Sequence, residues 1–216
     1  ILSCDLGDVV VPPKNGPAVG IDLGLKAFLV TSEGQAVQSP RYFRLAQAKL
    51  RRLQRTVALR KKGSARRRKA VKQLQRAHQH VANQRRDFHH KTAIALVRDY
   101  GTICHEALTV KAIARSRLAT SAHDAGWGRF LLILSRKAEE AGVELIAVNP
   151  AYTSQACSAC GCLPDVPKTL RDRVHVCTVC GYNADRDHNA ARNILAGGNR
   201  RGSSSQAPTV TVVAVA

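Results

Sequence analysis

Two cysteine pairs carry the first chemical signal: Cys157 and Cys160, then Cys177 and Cys180, each pair enclosing two residues, with sixteen residues between the pairs. Each CxxC turn offers two sulfurs to one face of a tetrahedral ion, so the pattern is that of a four-thiolate zinc ribbon. Two disulfides or a redox dithiol are the other readings. A cytosolic setting disfavours the first, and two matched knuckles disfavour the second. Cys162 adds a further thiol close to the first knuckle. A module of this size has too small a core to fold unaided, and structural zinc supplies on the order of 10–16 kcal/mol of apparent binding energy. Four thiolates leave that ion no open position, so chemistry must come from elsewhere.

Three acids are the candidates. Asp22 follows Val19-Gly20-Ile21 in an apolar run, where a free carboxylate is expensive unless paired or metal-bound. Glu106 ends a short apolar strand, and Asp187 stands where a helix begins beyond the second knuckle. Each has an ordinary reading: Asp22 as a turn former, Glu106 as a solvated strand end, Asp187 as a helix N-cap. As a set drawn from distant parts of the chain they can converge on one cation, with Asp22 and Glu106 sharing a sheet.

The elements that must position these residues are legible in the hydrophobic pattern. Residues 1–16 hold one apolar run, Val9-Val10-Val11, closed by Pro12-Pro13 and Asn15-Gly16, which reads as the end of an upstream domain and a linker. Apolar stretches at Val19–Leu23 and Ala27–Thr31, with Glu33-Gly34 turning into a third, predict an antiparallel meander. Phe43, Ala46, Leu50, Leu53 and Val57 step at helical spacing up to a break at Lys62-Gly63-Ser64. A second seam, Val71, Leu74, His78, Val81 and Phe88, continues to Val97, and 65–98 as one helix would be roughly 50 Å long. Together they predict a helical hairpin over 41–98. Residues 102–108 read as a strand, 127–142 as a helix ending at Gly142, and 143–150 as a strand stopped by Pro150. The cysteine module occupies 151–183. A last segment, 184–198, carries a helix from about His188 to Leu195 that Gly197-Gly198 should terminate, before a disordered tail over 199–216.

Charge is concentrated. Lys and Arg number 34 against 15 acids, a net +19, and 19 of the 34 lie between Arg41 and Arg98. A solvated charged face is the bland alternative, but such a stripe repels itself unless a polyanion compensates. Arg51, Arg52, Arg55, Arg66, Arg67, Arg68, Lys69, Lys72, Arg85 and Arg86 are the candidate phosphate contacts. No apolar run reaches the roughly 20 residues that span a bilayer and no secretory layout opens the chain, so a cytoplasmic protein, nucleoid-associated when on DNA, is expected. The chain opens at Ile1 and contains no Met, as the C-terminal part of a longer product would.

In this order GIDLGLK, the acid of HEALTVKAI, GWGRFLLILSRKA, VNPAYTSQACSACG and CTVCGYNADRDHNAARNIL resemble the TnpB (OrfB) family, transposon-associated proteins akin to type V CRISPR effectors. The resemblance covers roughly Pro17 to Leu195. It departs from the family at Ala107, usually an Asp, and at Asn149, where Asp-Pro is common, and it lacks the family's N-terminal half. It implies an α/β RNase H-like (RuvC) nuclease domain over 17–150 and 184–198, with the helical hairpin and the zinc ribbon as insertions. Catalytic carboxylates would match Asp22, Glu106 and Asp187, holding Mg²⁺ for two-metal phosphodiester hydrolysis, and Asp185 would be a supporting or surface residue. Partners would be a transposon-encoded guide RNA and target DNA. Two readings within the same family stay open: a non-cleaving nucleic-acid-binding regulator and an inactive fragment. An actin-like ATPase shares the topology and a DxG motif, but no second glycine-rich phosphate loop is present.

Overall fold

The computed structural model describes residues 11–107, 119–169 and 171–202. Along the chain run β1 (Ala18–Leu23), β2 (Ala27–Thr31), β3 (Ala36–Gln38), α1 (Tyr42–Ala58), α2 (Ala65–Asp99), β4 (Thr102–Glu106), α3 (Ala119–Ala125), α4 (Trp127–Glu140), β5 (Glu144–Val148), β6 (Val174–Val176), β7 (Asn183–Asp185) and α5 (Arg186–Gly202). Most of the apolar run at 9–11, Leu108 at the end of the expected strand, and the tail beyond 202 lie outside the described residues.

Five strands form one mixed sheet in the order β3-β2-β1-β4-β5. The meander expected from the first apolar runs is its antiparallel half, and β1, β4 and β5 are parallel. Parallel neighbours need long crossovers. The first, from β1 to β4, contains β2, β3 and the helical hairpin, and the second, from β4 to β5, contains α3 and α4.

Side-chain alternation gives the sheet two different faces. Val19, Ile21 and Ile103 point into the main core with Phe28, where α2 and α4 contribute Ala93, Leu96, Val97, Phe130, Leu134 and Ala138. His89 of α2 is fully buried there, stacked on Phe28 and bonded through Nε2 to the Ala125 carbonyl at 2.8 Å. Burial pushes its pKa down to about 4, so it is a neutral core residue. The opposite face, with Cys104, Val148 and Ile194, belongs to α5.

The helical hairpin forms as the pattern predicts, with a corrected seam. Gly63 takes φ +81° at the turn, and the Ser64 hydroxyl caps α2 by accepting from the Arg67 N–H at 3.1 Å. On α2 the buried line runs through Ala70 and Val81, with Val71, Leu74 and Ala77 half-buried between them, and His78 of the expected seam is exposed.

A second correction concerns α5, which runs through Gly197-Gly198 to Gly202 instead of ending near Leu195, and so takes residues 199–202 out of the expected tail. Its glycines are a packing requirement. A Cβ on Gly198 would lie 2.2 Å from Cys104 Sγ, and one on Gly197 would lie 2.7 Å from Val148 Cγ1. From the sheet side, a Cβ on Gly20 would lie 2.1 Å from the Ala191 carbonyl oxygen. Missing side chains on both partners let the helix lie directly on β1, β4 and β5.

That contact reverses a propensity rule. Glycine to alanine inside a strand or helix ordinarily stabilises by roughly 0.5–1 kcal/mol. Gly20→Ala is expected instead to destabilise by about 2 kcal/mol or more in urea denaturation, because backbone must move. A neutral or stabilising effect would contradict this seat for α5.

Candidate functional site

Asp22 is two residues beyond Gly20 on β1, so both face α5. The β1–β4 register pairs Ile21 with His105, which makes Asp22 and Glu106 the next neighbours on adjacent parallel strands. Glu106, two residues beyond Cys104, also faces α5. Asp187 lies in the first turn of α5, one turn before the Ala191 that sits over Gly20, and its Oδ2 is 4.0 Å from where a Cβ on Gly24 would be. The three acids therefore share one end of one face. They are spaced more loosely than the cysteines, which form the set of three or more donors within 4.8 Å of one another among the described residues.

Burial, then the charges of Glu106 and Asp187, push the pKa of Asp22 from its ordinary 3.8 up to about 8, although the side chain keeps some solvent exposure. Glu106 is also raised by burial, an effect partly countered by the Thr153 hydroxyl that donates to its Oε1. Asp185 has a different position from Asp187. Its Oδ1 accepts the Asp187 backbone N–H at 2.9 Å, so Asp185 caps the helix start and Asp187 is not the cap. His188 ties the same turn to the Ser32 carbonyl at 3.0 Å.

The pattern reading missed three residues that join this site to the cysteines. Thr153 holds Glu106. Asn189, fully buried on α5, accepts the Ser158 N–H at 2.9 Å and donates to the Ala156 carbonyl at 2.8 Å. One turn on, Asn193 donates to the carbonyls of Thr153 and Ala156, both at 2.8 Å. Their i, i+4 spacing was the available signal, since it puts two amides on one helix face.

The knuckles are built alike. Gly161 and Gly181 take φ +78° and +72°, and their N–H groups donate to the Cys157 and Cys177 carbonyls at 2.8 and 3.0 Å. Sulfur separations of 3.7 Å for Cys157–Cys180 and 3.6 Å for Cys160–Cys177 match the edge of about 3.8 Å expected for a tetrahedron with Zn–S near 2.3 Å. Backbone N–H groups of Cys180 and Val179 directed at Cys177 hold its pKa down, whereas at Cys180 the bond from the Tyr182 backbone is outweighed by the neighbouring Cys160, Cys177 and Cys157 thiols, which push its pKa up, so the four crowded sulfurs ionise unequally. Cys162 stays outside the cluster, its carbonyl accepting the Cys157 N–H at 2.9 Å. β6 and β7 form the small antiparallel hairpin that carries the second knuckle and runs into α5.

On the helical hairpin, Arg51, Arg52, Arg55, Arg66, Arg68, Lys69, Lys72 and Arg86 are exposed. Arg67 is half-buried, as is Arg85, whose Nη1 donates to the His123 carbonyl at 2.8 Å. Among the described residues no helix is long and apolar enough to cross a membrane.

Comparison with known proteins follows the same division. Residues 2–117 match the OrfB_IS605 family, described as "Probable transposase", and residues 127–194 match the "Cas12f1-like, TNB domain". A Streptomyces pristinaespiralis protein named "Putative RNA-guided DNA endonuclease" is 36% identical over 195 residues, covering 88% of this chain and 48% of that one. The chain belongs to the TnpB (OrfB) family. TnpB-like protein L79 of Acanthamoeba polyphaga mimivirus is 33% identical over 139 residues, 61% of this chain and 26% of that protein. A Cas12f1 chain from the cryo-EM structure of the Cas12f1–sgRNA–target DNA complex superposes with TM-score 0.61 at 20% identity, over 90% of this chain and 52% of that one, which shows a shared fold. This TnpB-family chain spans about half the length of the curated relatives it matches.

Two outcomes follow from the site geometry. Because folding raises the Asp22 pKa from 3.8 to about 8, the folded chain keeps a proton that the unfolded chain has lost between those values. This group's contribution to stability therefore falls as pH rises from about 4 to about 8. Without added divalent ions, Asp22→Asn is expected to stabilise by on the order of 1–3 kcal/mol at pH 8 and to be nearly neutral at pH 4. Thermal melts at the two pH values check this, and an equal effect at both would contradict it. Cys177→Ser is expected to abolish stoichiometric zinc in metal analysis and to lower the melting temperature; full zinc content with an unchanged melt would contradict the thiolate site.

Proposed function

We propose that this chain is the nuclease part of a TnpB-family RNA-guided DNA endonuclease, with an RNase H-like (RuvC) domain that cuts DNA and a zinc ribbon inserted before its last helix. The reading is carried by one observation: Asp22, Glu106 and Asp187, distant in sequence, lie at one end of the sheet face covered by α5.

The residues present fit divalent cations. Burial and two neighbouring carboxylates raise the proton affinity of Asp22, the sign of a site short of positive charge. Asp22, Glu106 and Asp187 would hold Mg²⁺, which when bound supplies an activated water and stabilises the leaving 3′ oxygen of a phosphodiester. The chain's own part is positioning. Strands β1 and β4 fix two carboxylates side by side, and the Thr153 hydroxyl orients Glu106. Asp185 occupies the backbone N–H of Asp187, leaving the Asp187 carboxylate for the cation. No protein nucleophile is required.

Zinc held by Cys157, Cys160, Cys177 and Cys180 would set the shape of the module that Asn189 and Asn193 fasten to α5. The basic hairpin would follow the phosphates of a guide RNA–target DNA duplex through backbone charge, without reading bases. The Cas12f1 chain with the same fold is in a complex with sgRNA and target DNA, which supports a nucleic-acid role here.

Asp187→Ala in the full-length protein, loaded with its guide RNA, should lower Mg²⁺-dependent cleavage of target DNA by at least about 10³-fold. Binding of guide and target, read by gel shift, should be unchanged. Cleavage at the unsubstituted rate would refute the carboxylate assignment.

A further inference from the structure

At the N-terminal end of the basic hairpin, Arg41 and Arg44 meet cations from two other segments, Lys26 and Arg173. A cavity of about 340 Å³ is lined by Lys26 beside β2, Arg41 and Arg44 at the start of α1, Ser121 and Asp124 of α3, and Arg173 at the edge of the cysteine module. The four cations are exposed. The one acid in the lining is already committed, its two oxygens accepting the N–H groups of Phe43 and Arg44 at 2.9 and 3.3 Å. Arg44 Nη2 donates to the Ser121 hydroxyl at 3.2 Å, which fixes that guanidinium at the wall. Among the described residues Arg41, Arg44 and Arg173 have no salt-bridge partner.

The backbone at Arg41 points the same way. It takes φ +49°, ψ +42° at the N-cap of α1, a left-handed conformation that costs a non-glycine residue roughly 1–2 kcal/mol. It also lacks a side-chain cap bond there. Asn or Gly would suit that backbone better, and a strained residue of this kind is a reason to look for a role of its side chain. The cavity reaches toward the start of α5: Lys26 lies 4.0 Å from Asp185, which caps the helix carrying Asp187. The Arg173 carbonyl accepts the Arg186 N–H at 2.9 Å at the start of that helix.

We propose that this cavity is a phosphate clamp for a single DNA strand, in which Arg41, Arg44 and Arg173 grip a backbone phosphate close to the carboxylates. Three guanidinium forks from two segments suit a phosphodiester better than one point charge would. The clamp deepens the nuclease reading and rests on it for the identity of the strand. It also links the nuclease sheet, the basic hairpin and the cysteine module through one bound phosphate.

The test measures binding without cleavage. In the Asp187→Ala background, a fluorescein-labelled 20-nucleotide single-stranded DNA is titrated by anisotropy at several salt concentrations. The double variant Arg41→Gln/Arg173→Gln should weaken binding at least about fivefold and flatten the slope of log Kd against log salt by about 1.4, near 0.7 for each lost contact. Arg41→Lys/Arg173→Lys should recover most of the slope. Circular dichroism and zinc content guard against misfolding, and Arg41→Gln alone, which leaves the Arg173–Arg186 backbone bond untouched, is a second variant expected to lower the slope by about 0.7. An unchanged slope in the Gln variants overturns the clamp, even where the protein with Asp187 intact still cuts DNA. Millimolar inorganic phosphate should displace DNA more strongly from the parent than from the Gln variants, because it competes for the same guanidinium groups; equal displacement in both would also overturn the clamp. Loss of cleavage on Asp187→Ala is scored separately, so either reading can fail alone.

Discussion

The closeness of α5 to the sheet is the constraint on which the remaining features rest. Gly20 on the strand and Gly197 and Gly198 on the helix remove the side chains that would otherwise hold the two backbones apart. With the helix seated there, its first turn is brought to the ends of β1 and β4, where strand alternation has already placed Asp22 and Glu106 on the same face. Close-packed interiors do not deform continuously, so a helix raised by one methyl group would move Asp187 away from both.

The same helix organises what lies beyond the sheet. Asn189 and Asn193 hold the loop that enters the first knuckle, and β7 leads from the second knuckle straight into the helix. The cysteine module is thus attached to α5 at both of its ends. A metal that fixed the module would also restrain the helix start, although four thiolates leave it no reaction of its own. The long α2 acts in the opposite direction, with its C-terminal half packed into the core and its N-terminal half presenting charge with α1.

Much of this was legible in the sequence because it rests on periodicity and spacing. Alternating apolar runs specified the meander, 3-4 stepping specified the hairpin, and paired CxxC turns specified the sulfur cluster. What was misread rests on contacts between distant segments. Gly197-Gly198 looked like a helix stop because glycine is a poor helix former, whereas the fold uses its missing side chain. His78 looked like part of a seam that Ala77 occupies, since alanine carries little hydrophobic signal in a pattern. Thr153, Asn189 and Asn193 act through hydrogen bonds to groups about 30 to 50 residues away; the i, i+4 spacing of the two asparagines puts them on one helix face but does not name their partners. The family resemblance separated Asp187 from Asp185, but the ordinary N-cap reading of Asp187 falls only with the backbone bond, in which Asp185 accepts the helix N–H.

The central claim is that three distant carboxylates act as one cation site. Electron paramagnetic resonance during Mn²⁺ titration tests it most directly, because Mn²⁺ substitutes for Mg²⁺ and ions that share carboxylates couple magnetically. A coupled Mn²⁺ signal is expected, and it should be lost when any one of Asp22, Glu106 or Asp187 is replaced by its amide. Mn²⁺ binding that survives all three single replacements would contradict it.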